Sequence, residues 1–316
     1  MLRSSIEHKI ILATCLINYS GVLYLRSQVM SIVVYLTIAF IPAYLLDYSI
    51  LIHAYKLSLT TPEYALIFIA LGIVRMYMPF VGTIIAIRVK GLGILRGLRQ
   101  YGLRLGKLRY ILLGSIVVLG IYALSVLFAI LAQVKVVNPI MNIGRFGPLE
   151  LWGLNPLLSL IFLVVVALLA GLTVNAVAAL GEEMGWRGFL LDELSSRMGL
   201  LKASVIIGIV WSLWHAPLIL AGYDYPHHHD FVGLGMFTLI CIVWSIILGY
   251  LRVLSSSVIA PSVMHGTINA MAGLILLTIP GDELYTAPLG IIGLVASATI
   301  ALVMMLMFKE KIRIET

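Results

Sequence analysis

The chain is predicted to be an all-α, polytopic integral membrane protein with about eight transmembrane helices forming one bundle. Three observations predict it. Apolar residues make up 61% of the sequence and charged residues only 11%, with a mean hydropathy of +1.09. A water-soluble domain of 316 residues has no means of covering that much apolar surface. Long apolar runs recur along the chain, and the charged residues between them are sorted by sign.

The first element is the least regular. In residues 1–28, the apolar stretch at 9–25 is broken by Asn18 and has no small-residue cleavage site, so it does not read as a signal peptide. If it spanned, Arg3 and Lys9 would lie outside, against the charge rule; it is expected to lie in the interface, with a cytoplasmic amino terminus. The spans follow at 30–53, 62–88, 110–134, 156–180, 203–222, 231–251, 257–279 and 287–308, each bounded by polar or proline-containing breaks. Pro42, Pro79 and Pro217 fall inside spans, where neighbouring helices can satisfy the carbonyls they free. Residues 29–150 read as amino-terminal membrane helices, 151–308 as the helices carrying the chemistry, and 309–316 as a cytoplasmic tail.

The net charge of +7 is concentrated rather than spread. Arg88, Lys90, Arg96, Arg99, Arg104, Lys107 and Arg109 crowd the loop at 88–109 with no acidic residue among them. Between two apolar spans this is the positive-inside signal, with anionic lipid as a natural contact. It lacks the series of interleaved aromatic residues that a nucleic-acid platform would require, so nucleic acid is not an expected partner. Placing this loop in the cytoplasm also brings Arg252, Lys309, Lys311 and Arg313 inside. It sends the loops at 223–230 and 280–286, which hold no Lys or Arg, outside. Lys135 and Arg145 are the exception. Cys15 and Cys241 both fall in apolar segments and read as small hydrophobes.

Against this background, ionisable residues near or inside spans need a reason, since each costs about 2.5–3.5 kcal/mol on insertion scales. Glu182 and Glu183 stand side by side at the end of the 156–180 span, which places them near the cytoplasmic face. On a helix, Glu183 and Arg187 are four apart and can pair, while Glu182 is rotated by about 100° and left for the interior. Gly181, Gly185 and Gly188 keep this segment small enough for close helix approach. The bland alternative is that both carboxylates snorkel to the interface with Arg187. His215 follows Trp211 by one turn on the next span. His265 and Asn269 share a helical face, again four apart. Either histidine alone could be an interhelical hydrogen bond.

Together they suggest more. Glu182, His215, His265 and Asn269 come from three spans and can converge in an intramembrane catalytic cavity. A carboxylate and an imidazole around one water make a general-base unit, and imidazole and carboxamide N–H groups can stabilise an oxyanion. This is equipment for hydrolysing an amide without a serine or cysteine nucleophile.

The pattern resembles the CAAX protease and bacteriocin-processing family of intramembrane glutamate proteases, which includes the type II prenyl-protein endopeptidases. The family's Glu-Glu-x-x-x-Arg motif is matched by Glu182, Glu183 and Arg187. Its aromatic residue four positions before a histidine is matched by Trp211 and His215, and its His-x-x-x-Asn motif by His265 and Asn269. The resemblance covers roughly 156–280, and Trp211 departs from the family's usual Phe. It implies an endopeptidase of the prokaryotic cell membrane whose site faces the cytoplasm. The implied substrate is a membrane-associated peptide or protein, with prenylated CAAX-like peptides one class. Glu182 would be the general base and His215 would position water. His265 and Asn269 would form the oxyanion site, and Glu183 with Arg187 would hold the geometry. No cofactor is expected.

Three other readings compete. Zinc on Glu182, His215 and His265 is conceivable, but the sequence has no His-Glu-x-x-His helix. A non-proteolytic scaffold, regulator or bacteriocin self-immunity protein could use the same fold. A proton-coupled transporter would also need buried ionisable groups, but the chain has no inverted repeat. His227, His228 and His229, flanked by Asp224 and Asp230 in the outer loop, read as solvated or as adventitious metal binders.

Overall fold

The computed structural model describes residues 27–58, 60–61, 63–140 and 155–315. The stretch at 9–25, Cys15 and Arg145 lie outside the described residues. Among the described residues every regular element is a helix. Seven helices are long and apolar enough to cross a membrane, or eight if one bent pair counts as a span. In chain order they are α1 (Ser27–Ser58), α2 (Glu63–Val89), the short α3 (Ile94–Gln100) and α4 (Leu108–Leu131). The bent pair is α5 (Pro156–Leu172) and α6 (Val174–Met198). Then come α7 (Leu200–Leu220), α8 (Phe231–Ser255), α9 (Ile259–Thr278) and α10 (Ile291–Glu315). The fold class is the expected one: an all-α polytopic membrane protein.

Local chemistry explains the breaks. Asn155 caps α5 through Leu158 N–H at 2.9 Å, with Pro156 at the first helical position. Asp230 caps α8 through the amides of Val232 and Gly233 at 2.8 and 3.1 Å. Pro79 lies just after the break in α2 at Tyr77, where its missing N–H costs nothing. At Thr173, a backbone ψ of −97° turns α6 by 43° away from α5.

The largest departure from expectation is the length of α6. The span was expected to end at 180, with the carboxylates at its tip. Instead the helix continues through a π-turn, Met184–Leu190, to Met198. That carries it about 22 Å beyond Glu183. The continuation carries Arg187, Asp192 and Glu193, yet Met184 to Leu191 is buried because the glycines admit its neighbours. A Cβ on Gly181 would lie 2.6 Å from the Met76 carbonyl oxygen, and one on Gly185 2.4 Å from Pro79. With α2 that close, Trp186 and Phe189 pack against Tyr35 of α1 at ring distances of 5.7 and 5.1 Å.

The bundle has two chemically distinct ends. At the basic end, Lys90 reaches Glu193 at 2.5 Å, Tyr101 donates to Glu193 at 2.7 Å, and Arg252 pairs with Asp192 at 2.9 Å. Gly102, at φ +93°, turns the chain where Arg252 leaves no room for a Cβ. At the other end, Tyr55 donates to the Gly222 carbonyl, and Val137 N–H to that of Thr278, both at 2.9 Å. Between the ends, side chains such as Leu66, Leu112 and Leu306 point outward, as a lipid-facing surface requires.

Candidate active site

The site is built where α6, α7 and α9 meet. A Cβ on Gly266 would lie 2.5 Å from Ala176 N, and one on Gly171 2.6 Å from Thr267, so α9 rides directly on the α5–α6 bend. Across from it, Gly208 brings α7 against the α8 backbone, where a Cβ would meet Ile242 Cα at 2.4 Å. These approaches bring residues from distant parts of the chain within side-chain reach.

Both carboxylates are buried, Glu182 at 2% exposure and Glu183 at 0%, which rules out the snorkelling alternative. They divide as the helical geometry suggested. Glu183 Oε1 accepts from Arg187 Nη1 at 2.9 Å. Arg187 is fixed in turn by Ser245 Oγ at 2.8 Å and lies 4.4 Å from the Trp211 ring centroid. Glu182 points elsewhere, and its Oε2 accepts the Trp211 indole N–H at 2.7 Å.

The histidines are oriented through their Nδ1 atoms. His265 Nδ1 donates to Glu183 Oε1 at 2.8 Å, a contact that helical spacing did not suggest. His215 Nδ1 lies 2.9 Å from the Trp211 carbonyl oxygen. A carbonyl can only accept, so Nδ1 carries the proton, and Nε2 of the neutral ring is an acceptor. The His215 ring is held edge-on by Trp214 and Phe237, at 4.8 and 5.3 Å. It sits in the last two turns of α7, which ends at Leu220.

A cavity of about 600 Å³ is lined by Glu182, His215, His265 and Asn269 together, so the four residues singled out from three spans do meet. Trp211 also lines it, while Glu183 and Arg187 lie outside the lining, behind His265. Asn269 is exposed and presents its carboxamide on the lining. Apolar side chains, among them Phe68, Ile73, Phe237 and Ile268, form much of the remaining wall.

Two cavity groups were not foreseen. Arg75 of α2, 2% exposed, pairs with Asp47 of α1 through Nε and Nη2 at 2.6 and 3.0 Å. It also donates to the Trp214 carbonyl at 2.6 Å and stacks 3.6 Å from that ring. Opposite charges inside spans 30–53 and 62–88 were the available signal. Asp224 is the other, a half-buried loop residue on the lining, whose burial pushes its pKa up to about 7.

The cavity runs away from the basic end. Its lining extends past Leu276 of α9 to Tyr223, Asp224, Pro288 and Leu289 in the loops of the opposite end. Toward the basic end, Trp186, Phe189 and Tyr101 are buried and pack with Tyr35 as a plug. The sequence led us to expect a cytoplasmic basic loop and a site facing the cytoplasm. The carboxylates were expected at the end of their span; helix continuation past Glu183 instead buries them between the two ends.

Residues 156–271 match the family described as Type II CAAX prenyl endopeptidase Rce1-like. The similarity is confined to this segment, a little over a third of the chain. Over 127 residues the chain is 37% identical to a protein named CAAX prenyl protease 2 from Methanococcus maripaludis. That stretch is 39% of this chain and 46% of the relative, so the chain spans just under half the length of the protein it matches. The matched segment holds α5 through most of α9, and with them every cavity residue of α6, α7 and α8. Arg75 and Asp47 lie before it.

Proposed function

We propose that this protein is an intramembrane endopeptidase that hydrolyses a peptide bond of a membrane-associated, prenylated CAAX-like substrate, with water activated by Glu182 and His215. The observation carrying this reading is the convergence of Glu182, His215, His265 and Asn269 on one largely apolar cavity. The similarity of residues 156–271 to the Rce1-like type II CAAX prenyl endopeptidases supports it.

The roles follow from which atoms are already engaged. Trp211 holds one oxygen of Glu182 and leaves the other for water. His215 presents Nε2 as a second acceptor. A water donating one hydrogen to each has its lone pairs turned toward a substrate carbonyl, and Glu182 takes the proton as the bond forms. Asn269 and His265 receive the developing oxyanion. Glu183 holds His265 through Nδ1, so its Nε2 faces the cavity and donates there when it carries a proton.

Metal is not needed in this scheme. Among the described residues, the His, Cys, Asp and Glu donors that gather within 4.8 Å of one another do not include Glu182, His215 and His265. Apolar walls suit an isoprenoid or an extended apolar chain, which arrives from the bilayer between helices. We place the basic end in the cytoplasm of a prokaryotic cell, so the cavity loops lie on the opposite side.

The test is cleavage of a farnesylated reporter peptide by purified protein in detergent, beside its unprenylated counterpart. Faster cleavage of the prenylated peptide supports the reading. Cleavage of neither returns the chain to a scaffold, regulator or immunity role on the same fold.

A further inference from the structure

His227, His228 and His229 were expected to be solvated or adventitious metal binders; their loop, 221–230, packs against the loop at 279–290. His228 Nε2 lies 2.8 Å from Asp282 Oδ2, and His227 Nδ1 lies 2.7 Å from Glu283 Oε1. His228, Asp282 and Glu283 each offer a ligand atom, all within 4.8 Å of one another. The carboxylates are prepared rather than loose. Asp282 Oδ1 accepts Leu284 N–H at 2.9 Å, which leaves Oδ2 for the histidine. Glu283 has a side chain only 13% exposed, and its Oε2 is buried with no hydrogen-bond partner. A buried carboxylate oxygen without a donor is costly unless something positive completes it.

We propose that these two loops form a divalent transition-metal site of the zinc class, with His228, Asp282 and Glu283 as ligands and His227 as the neighbouring fourth. A mixed imidazole and carboxylate set suits zinc rather than magnesium or calcium, which prefer oxygen alone. Tetrahedral zinc bonds of about 2.0–2.2 Å place ligand atoms about 3.4 Å apart. For His228, Asp282 and Glu283, whose ligand atoms lie within 4.8 Å of one another, this takes an inward movement of at most about an ångström, easily made between two surface loops. The site is separate from the four cavity residues, which lie deeper, but the loops it would join supply Tyr223, Asp224, Pro288 and Leu289 to the cavity lining. Metal binding would fasten the rim on that side, so occupancy would set how freely the cavity is reached.

Calorimetric titration of Zn²⁺ into tag-free, chelator-treated protein in detergent tests this, with Mg²⁺ as the comparison ion. One saturable equivalent of Zn²⁺ per chain is expected, with no comparable Mg²⁺ binding. His228→Ala and Asp282→Asn should each weaken Zn²⁺ by about tenfold or more while the protein remains monodisperse. His229→Ala should bind as the unsubstituted chain does, since that ring is turned to the Pro226 carbonyl at 3.1 Å. Absence of a saturable equivalent overturns the site. So does undiminished binding by His228→Ala and Asp282→Asn, or an equal loss in His229→Ala.

Discussion

Glu183 and His265, 82 positions apart in the chain, share a 2.8 Å hydrogen bond that fixes which nitrogen of the imidazole faces the cavity. The same carboxylate oxygen accepts from Arg187, so one atom ties α6 to itself and to α9. Glu183 is therefore a positioning residue rather than a catalytic one. Glu183→Gln retains an acceptor but loses the charge, and is expected to lower kcat about a hundredfold with little change in KM. A purely structural role would instead lower the thermal midpoint and leave kcat of the folded fraction unchanged. Steady-state kinetics beside thermal unfolding separates the two.

The Arg75–Asp47 pair makes a different prediction. Both side chains are almost fully buried, at 3% and 0% exposure. Arg75→Met strands Asp47 and is expected to destabilise the protein by about 3–5 kcal/mol, whereas Arg75→Met with Asp47→Leu recovers most of that loss. Denaturation in mild detergent measures it. A double variant no more stable than the single one would contradict this account.

Asp224 predicts a pH dependence. Its pKa is about 7 in the folded chain, above the ordinary 3.8, so the folded state holds the proton more tightly. Stability from this group is greatest below pH 4, falls as pH rises to about 7, and is level above that. Asp224→Asn should remove that decline. Thermal midpoints from pH 4 to 8 for the two proteins give the comparison, and parallel curves would contradict the prediction.

The ends of the bundle can be told apart by labelling. Leu95, 78% exposed, marks the basic end and Tyr285, 63% exposed, the cavity loops. In a chain with Cys15 and Cys241 replaced, Tyr285→Cys should react with an impermeant maleimide on intact cells. Leu95→Cys should react only after permeabilisation. The reverse pattern would turn the cavity toward the cytoplasm and overrule the charge asymmetry.

What could be read in the sequence was whatever repeats locally. Eight spans were visible because each is a single apolar run, and the Glu183–Arg187 pair because it is one helical turn. The four cavity residues were legible as members of motifs whose spacing fixes a face. Contacts between distant segments were not legible. Glu183 with His265, Arg75 with Asp47 and His228 with Asp282 each depend on how helices or loops pack, which spacing within one segment does not encode. The length of α6 was hidden for a related reason. Glu182, Glu183 and Arg187 after an apolar run read as an exit from the membrane, whereas the close approach allowed by Gly181 and Gly185 keeps the segment helical and buried.

The central claim is that Glu182 activates water without a metal. Glu182→Gln is nearly isosteric and can still accept the Trp211 N–H, so the fold should survive. Hydrolysis of a farnesylated reporter should fall at least about a hundredfold in this variant, while the unsubstituted protein keeps its rate in excess chelator. Full activity in Glu182→Gln, or activity lost to chelator and restored by zinc, would contradict the account.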